Sequence, residues 1–151
     1  MPKLSLRVPP VVVVAIAAAA MWLVARLFPA LQVAIPEIVA TGFAAVAMLL
    51  VVAGVLAFVK ARTTVNPHRP ERSTAIVASG VYRFSRNPMY LGFALLLAAW
   101  GCRLGNPLAF LVLPAFVAYM NRFQIAPEEE ALAARFGDAY LAYKRNVRRW
   151  L

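Results

Sequence analysis

The chain alternates long apolar runs with short basic or proline-bearing stretches, and that rhythm predicts its elements. Val11 to Phe28 is almost wholly apolar, which predicts a helix about 27 Å long at about 1.5 Å per residue. A basic start and the alanines at 17–20 also fit a signal peptide. The run continues through Met21-Trp22-Leu23-Val24 into a second apolar segment, however, which favours a retained helix. Pro29 to Glu37 is a brief connection. Ile38 to Val59 predicts a second span of about 33 Å, and its small residues, among them Gly42, Ala47 and Gly54, permit close helix packing. Lys60 to Ser79 carries two prolines and four cations, a surface loop, of which Arg62 to Ser79 is expected to move more than the helices.

Asn87-Pro88 predicts the start of a third helix running to about Leu104. Asn can cap with its side-chain oxygen, and proline at the first helical position gives up nothing. Gly105-Asn106-Pro107 is a turn, and Leu108 to about Gln124 predicts a fourth helix. Both are short for spanning, so the pair reads as a tight hairpin, with a re-entrant hairpin as the alternative. Pro127 followed by Glu128, Glu129 and Glu130 predicts a fresh helix start. Leu132, Phe136, Tyr140, Tyr143, Val147 and Trp150 then recur at helical spacing, an aromatic seam open to interruption at Gly137-Asp138. Arg135, Arg145, Arg148 and Arg149 fall on its outer face, suited to a membrane surface.

Composition changes the picture in one respect: the solvent. Hydrophobic residues make up 63% of 151 and charged residues 15%, and the excess falls in runs, so much of the chain faces lipid. The net charge of +10 flanks those runs, which indicates anionic headgroups and topology rather than nucleic acid. Arg26 and Arg103 lie at one end of the predicted spans and the other fourteen of the sixteen cations at the other. The positive-inside rule then places both termini and the Gly80 region in the cytoplasm, as for a multi-pass protein of a bacterial inner membrane. The expected class is an all-α integral membrane protein with about four membrane helices and a C-terminal amphipathic cytoplasmic helix. With Cys102 and His68 each the only residue of its kind, there is no intrachain disulfide, and zinc or haem ligation lacks donors; no metal site is expected. Cys102 reads as a packing residue and His68 as solvated.

Chemistry concentrates where the third helix begins. A helix N-terminus at the water–lipid boundary can hold an anionic group. Arg83 and Arg86 lie just outside it, and Tyr82 and Tyr90 bracket it. An ordinary basic flank with interfacial aromatics is the plain alternative. At about 100° per residue Glu129 falls near the middle of the aromatic seam, Glu128 on its shoulder and Glu130 away from it. An inward Glu129 needs a cationic partner, for which Arg83 and Arg86 are the candidates.

From Thr63 onward the chain resembles the integral-membrane methyltransferases that include isoprenylcysteine carboxyl methyltransferases and phospholipid N-methyltransferases. The residues that carry the resemblance are Gly80-Val81-Tyr82-Arg83, Arg86-Asn87-Pro88-Met89-Tyr90, Glu128-Glu129 with Leu132, and Phe136-Gly137 with Tyr140, Tyr143, Val147 and Arg149. Asn87 stands where eukaryotic carboxyl methyltransferases usually have histidine. The resemblance divides the chain into two N-terminal transmembrane helices (1–60) and a methyltransferase module (61–151). It implies S-adenosylmethionine as cofactor, bound by Tyr82, Arg86, Asn87, Pro88, Tyr90, Glu129, Tyr140 and Tyr143. Arg83 and Glu129 would serve catalysis, and Arg83 and Arg149 would meet the acceptor.

The expected function is methyl transfer to a lipidic or amphiphilic acceptor from the bilayer, by carboxylate O-methylation or phospholipid-type N-methylation, with no obligate protein partner. Such an in-line displacement gains much from positioning alone. The absence of a Gly-x-Gly-x-x-Gly and of alternating strands and helices sets the chain apart from soluble Rossmann-type methyltransferases. A nicotinamide-dependent reductase related to the sterol reductases and a non-catalytic membrane module are the alternatives.

Overall fold

The computed structural model describes residues 8–61 and 76–151. Most of the polar loop expected to move, His68 included, lies outside the described residues. Helix α1 (Pro10–Leu27) and helix α2 (Glu37–Lys60) begin at or just after prolines, and both are long and apolar enough to cross a membrane. Helix α3 (Pro88–Leu104) is shorter but apolar throughout. The fourth helix, α4 (Pro107–Phe136), runs 30 residues as a third candidate span. Helix α5 (Asp138–Asn146) follows a break at Gly137. No strand occurs among the described residues, so this is an all-α membrane protein.

The bundle has two distinguishable ends. At one, Asn106 is fully buried and donates from Nδ2 to Phe28 O at 2.8 Å, while its Oδ1 accepts the Leu108 N–H at 3.0 Å. Beside it Gly105 closes α3 with φ +61°, a conformation that only glycine adopts without strain, and Glu37 pairs with Arg103 at 3.1 Å. At the other end the chain's first described residues meet its last: Val8 and Trp150 pack on the same core as Met120 and Ile125.

Helix α2 lies along α3 through a stripe of small residues. Its buried positions are Ala40, Ala47 and Gly54, seven apart, a repeat that keeps one face of a helix on its neighbour. Gly92 meets that stripe from α3: a Cβ there would stand 2.9 Å from Ala47 O and 2.7 Å from Val51 Cγ2. The two backbones therefore approach as closely as glycine and alanine allow.

Two expectations about the C-terminal half are corrected. Pro127 does not begin a separate helix. Residues Val112–Tyr119 are α-helical, Met120–Ile125 form a wider π-turn, and Ala126–Phe136 continue the same rod. Pro127 has no N–H to offer and its ring would crowd the Phe123 carbonyl in a regular α-helix. The π-turn just before it supplies the room, so a residue that reads as a start signal sits inside a helix. The aromatic seam breaks at the anticipated Gly137, but it also ends as a helix sooner than expected. Gly137 (φ 53°, ψ −130°) breaks it, α5 ends at Asn146, and Val147 is extended (φ −124°, ψ 131°). Val147 and Trp150 therefore belong to an extended C-terminal tail.

Candidate active site

The loop into α3 is organised by Gly80, whose φ of +60° opens a 3-10 turn over Gly80–Arg83. That turn buries Tyr82, whose ring meets Phe58 edge-on at 5.3 Å and whose carbonyl accepts from the Tyr143 hydroxyl at 2.7 Å. Helix α3 then starts at Pro88 as the Asn-Pro pair predicts, yet the Asn87 side chain does not cap it. Instead Asn87 Nδ2 donates to Arg149 O at 2.9 Å, and its backbone N–H goes to Ser85 Oγ at 3.1 Å. The backbone N–H of Arg86 donates to Arg148 O at 3.0 Å. A cap expected to work within its own helix thus works across the fold, because the extended tail offers it a carbonyl.

Glu129 is 5% exposed and collects three cations. Arg149 meets it through both carboxylate oxygens, Nε to Oε1 at 3.0 Å and Nη2 to Oε2 at 2.9 Å. Lys144 Nζ lies 3.1 Å from Oε2 and Arg86 Nη2 3.2 Å from Oε1. Bidentate, charge-assisted contacts of this kind are the strong ones, and here they offset the cost of burying the carboxylate. The bond to Glu129 raises the pKa of Arg149. Of the two expected partners, Arg86 is the one that reaches Glu129; Arg83 is exposed. Arg149, expected on the outer face, turns inward because the tail leaves the helix before it.

Glu128 lies about 100° round the helix from Glu129. Its Oε1 accepts the Tyr90 hydroxyl at 2.5 Å. Among the described residues, the three site cations converge on its neighbour instead. Arg86 holds two buried nitrogens, Nε and Nη1, without a well-formed hydrogen bond among the described residues, with the Tyr140 hydroxyl beside the guanidinium. A buried guanidinium with spare donors is costly unless something anionic or carbonyl-like completes it. Burial pushes the Tyr140 phenol up to about 12, helped by Glu129, and raises Tyr82 and Tyr143 as well. All three remain neutral at physiological pH.

The structure brings Tyr82, Arg86, Asn87, Pro88, Tyr90, Glu129, Tyr140, Tyr143 and Arg149 to one end of the bundle, with the Tyr140 and Tyr143 rings 6.2 Å apart. Sequence reasoning left out Glu128, Lys144, Ser85 and Asn121. Asn121 Oδ1 accepts from Trp150 Nε1 at 3.0 Å and from Arg149 Nη1 at 3.4 Å. A polar Asn121 and Gln124 within an apolar helix were the available signal. A groove of about 290 Å³ between α2 and α3, lined by Ala40, Ala44, Leu96 and Trp100 among others, lies at the opposite end and shares no residue with this cluster.

Comparison with known proteins points the same way. The chain is 52% identical over 63 residues to an uncharacterized protein of Haemophilus influenzae, across 42% of this chain and all of that protein. It is 31% identical over 72 residues to the protein-S-isoprenylcysteine O-methyltransferase of Schizosaccharomyces pombe. That match covers 48% of this chain and only 30% of the yeast enzyme's length. No solved structure matches the chain. The phospholipid methyltransferase family model matches residues 35–139, from just before α2 into α5, and the chain belongs to that family of membrane methyltransferases.

Proposed function

We propose that this protein transfers a methyl group from S-adenosylmethionine to a lipidic or amphiphilic acceptor at the end of the bundle where α3 begins. The observation that carries the reading is Arg86: a buried guanidinium whose Nε and Nη1 make no well-formed hydrogen bond among the described residues, beside a helix start. Those donors, with the free amides of the first turn of α3, suit the cofactor's carboxylate. Glu128, outside the ion-pair cluster, suits its ammonium or ribose hydroxyls, while Tyr143, half-buried against the buried Tyr140, offers aromatic surface for adenine. When bound, the cofactor supplies an electrophilic methyl group on a sulfonium.

In this reading Glu129 acts mainly by setting Arg86, Arg149 and Lys144 in place, since its oxygens are already taken. Tyr90 orients Glu128. Arg83, exposed at the rim, is available to orient an anionic acceptor or headgroup. The chain's work is then largely to position two partners and exclude water. The positive-inside rule places this end in the cytoplasm.

Calorimetry of the full chain in detergent tests the cofactor half of the reading: S-adenosylhomocysteine binds and NADPH does not. A tritiated methyl-transfer assay on a total lipid extract tests the other half, with label expected in a lipid fraction. Binding of NADPH alone, or no affinity for either ligand, overturns the proposal.

A further inference from the structure

The backbone of a five-residue tail is one wall of the site. Residues 147–151 leave α5 as a non-helical segment, extended at Val147, and two of their carbonyls hold the loop that leads into α3. Arg148 O accepts the Arg86 N–H at 3.0 Å, and Arg149 O accepts Asn87 Nδ2 at 2.9 Å and Ser85 Oγ at 3.4 Å. A non-helical segment this short has no ladder of its own, and such segments fray unless something ties them down. Two side chains do so, Arg149 on Glu129 and Trp150 on Asn121.

Asn121 joins those two ties. Its Oδ1 accepts from Trp150 Nε1 at 3.0 Å and from Arg149 Nη1 at 3.4 Å, donors from consecutive residues of the tail. It reaches them because of the π-turn over Met120–Ile125. In a regular α-helix Asn121 and Glu129 would stand about 80° apart around the axis. A π-turn acts as a one-residue insertion, which brings the pair to within about 20°, two turns apart on one face. Arg149 spans that face and touches both residues.

We propose that Asn121 is a positioning residue for methyl transfer: it latches the C-terminal tail, whose carbonyls in turn set Arg86 and Asn87 at the cofactor site. The proposal rests on the reading of Arg86 and Asn87 as cofactor-holding groups. It adds that their placement depends on an amide oxygen across the fold. Glu129 fixes only the Arg149 side chain; the indole of Trp150, packed on the core, donates its hydrogen bond to Asn121.

The test compares Asn121→Leu, close in size but without the acceptor, with Asn121→Asp, which keeps it. All measurements use the full chain in detergent. Two quantities are read: the rate of tryptic cleavage after Arg148 and Arg149, followed by mass spectrometry, and the Kd for S-adenosylhomocysteine. Asn121→Leu should speed cleavage and weaken binding, each by about tenfold, the scale of one lost hydrogen bond. Asn121→Asp should restore both to within about threefold of wild type. Unchanged cleavage in Asn121→Leu sinks the latch, and faster cleavage with unchanged Kd sinks its role in positioning. If Asn121→Asp behaves like Asn121→Leu, the acceptor oxygen is not what matters and the proposal fails. A wild-type chain that binds no S-adenosylhomocysteine instead overturns the cofactor reading, while the cleavage rates still decide the latch.

Discussion

Arg149 grips Glu129 with two parallel hydrogen bonds, 3.0 Å and 2.9 Å long, although twenty residues and the Gly137 break separate them. The pair ties the segment after α5 to the last turns of α4. Arg86 joins from the loop before α3, so one carboxylate links three segments.

Removing that carboxylate is therefore expected to cost more than removing any one cation. Glu129→Ala leaves Arg86 buried without its partner, a loss of about 3–5 kcal/mol by the usual cost of orphaning a buried charge. Lys144→Ala, a half-exposed partner, should cost less than about 1 kcal/mol. Thermal unfolding in detergent checks the ranking, and equal losses for the two variants would contradict it.

Tyr90→Phe takes the hydroxyl from the half-buried carboxyl group of Glu128. Stability should fall by about 1–3 kcal/mol. Adding Glu128→Gln should cost less than the same change made alone, since both changes remove one shared contact. A double variant as unstable as the sum of the two singles argues that the contact carries no coupling.

Arg83→Ala should separate chemistry from folding. The side chain is exposed, so the unfolding midpoint should shift by less than about 0.5 kcal/mol equivalent. Cofactor affinity should hold while turnover at saturating cofactor drops, because only contacts to the acceptor are lost. Full activity in this variant removes Arg83 from the site.

Gly92→Ala tests the helix seam. Its new Cβ meets Val51 Cγ2 and the Ala47 carbonyl at under 3 Å, and the carbonyl belongs to a backbone that cannot turn aside. Overpacking of this kind typically costs about 1–3 kcal/mol. An unchanged melting midpoint would mean that α2 shifts along α3 without penalty.

Alkaline stability should follow Tyr140. Burial, aided by Glu129, raises its phenol from 10.0 to about 12 in the folded chain, so the folded state holds that proton more tightly than the unfolded state. The resulting stabilisation is complete below about pH 10 and is lost as pH rises towards about 12. Tyr140→Phe has no such proton to lose, and its midpoint should fall less steeply over that interval in a pH series of thermal melts.

The boundaries of α1, α2 and α3 were legible to within a residue or so, because apolar runs bounded by Pro, Gly and cations leave a membrane chain few other choices. Glu129 facing inward and Glu130 facing outward followed from helical spacing alone. Local signals failed where two of them competed at one position. Pro127 with three acids reads as a helix start, yet whether a proline begins a helix or sits behind a π-turn depends on what surrounds it. Asn87 reads as a cap, yet its amide turned to a carbonyl more than sixty residues away.

Hydropathy and spacing by themselves determined the membrane class, the hairpin turn at Gly105-Asn106-Pro107 and the set of polar residues gathered near Asn87. Pairing was decided only in three dimensions. Which cation meets Glu129, why Glu128 stands apart, and how Asn121 reaches Trp150 all depend on a tail that leaves its helix after Asn146. Periodicity assigns faces along one helix, whereas partners across a fold are chosen by where separate segments come to rest.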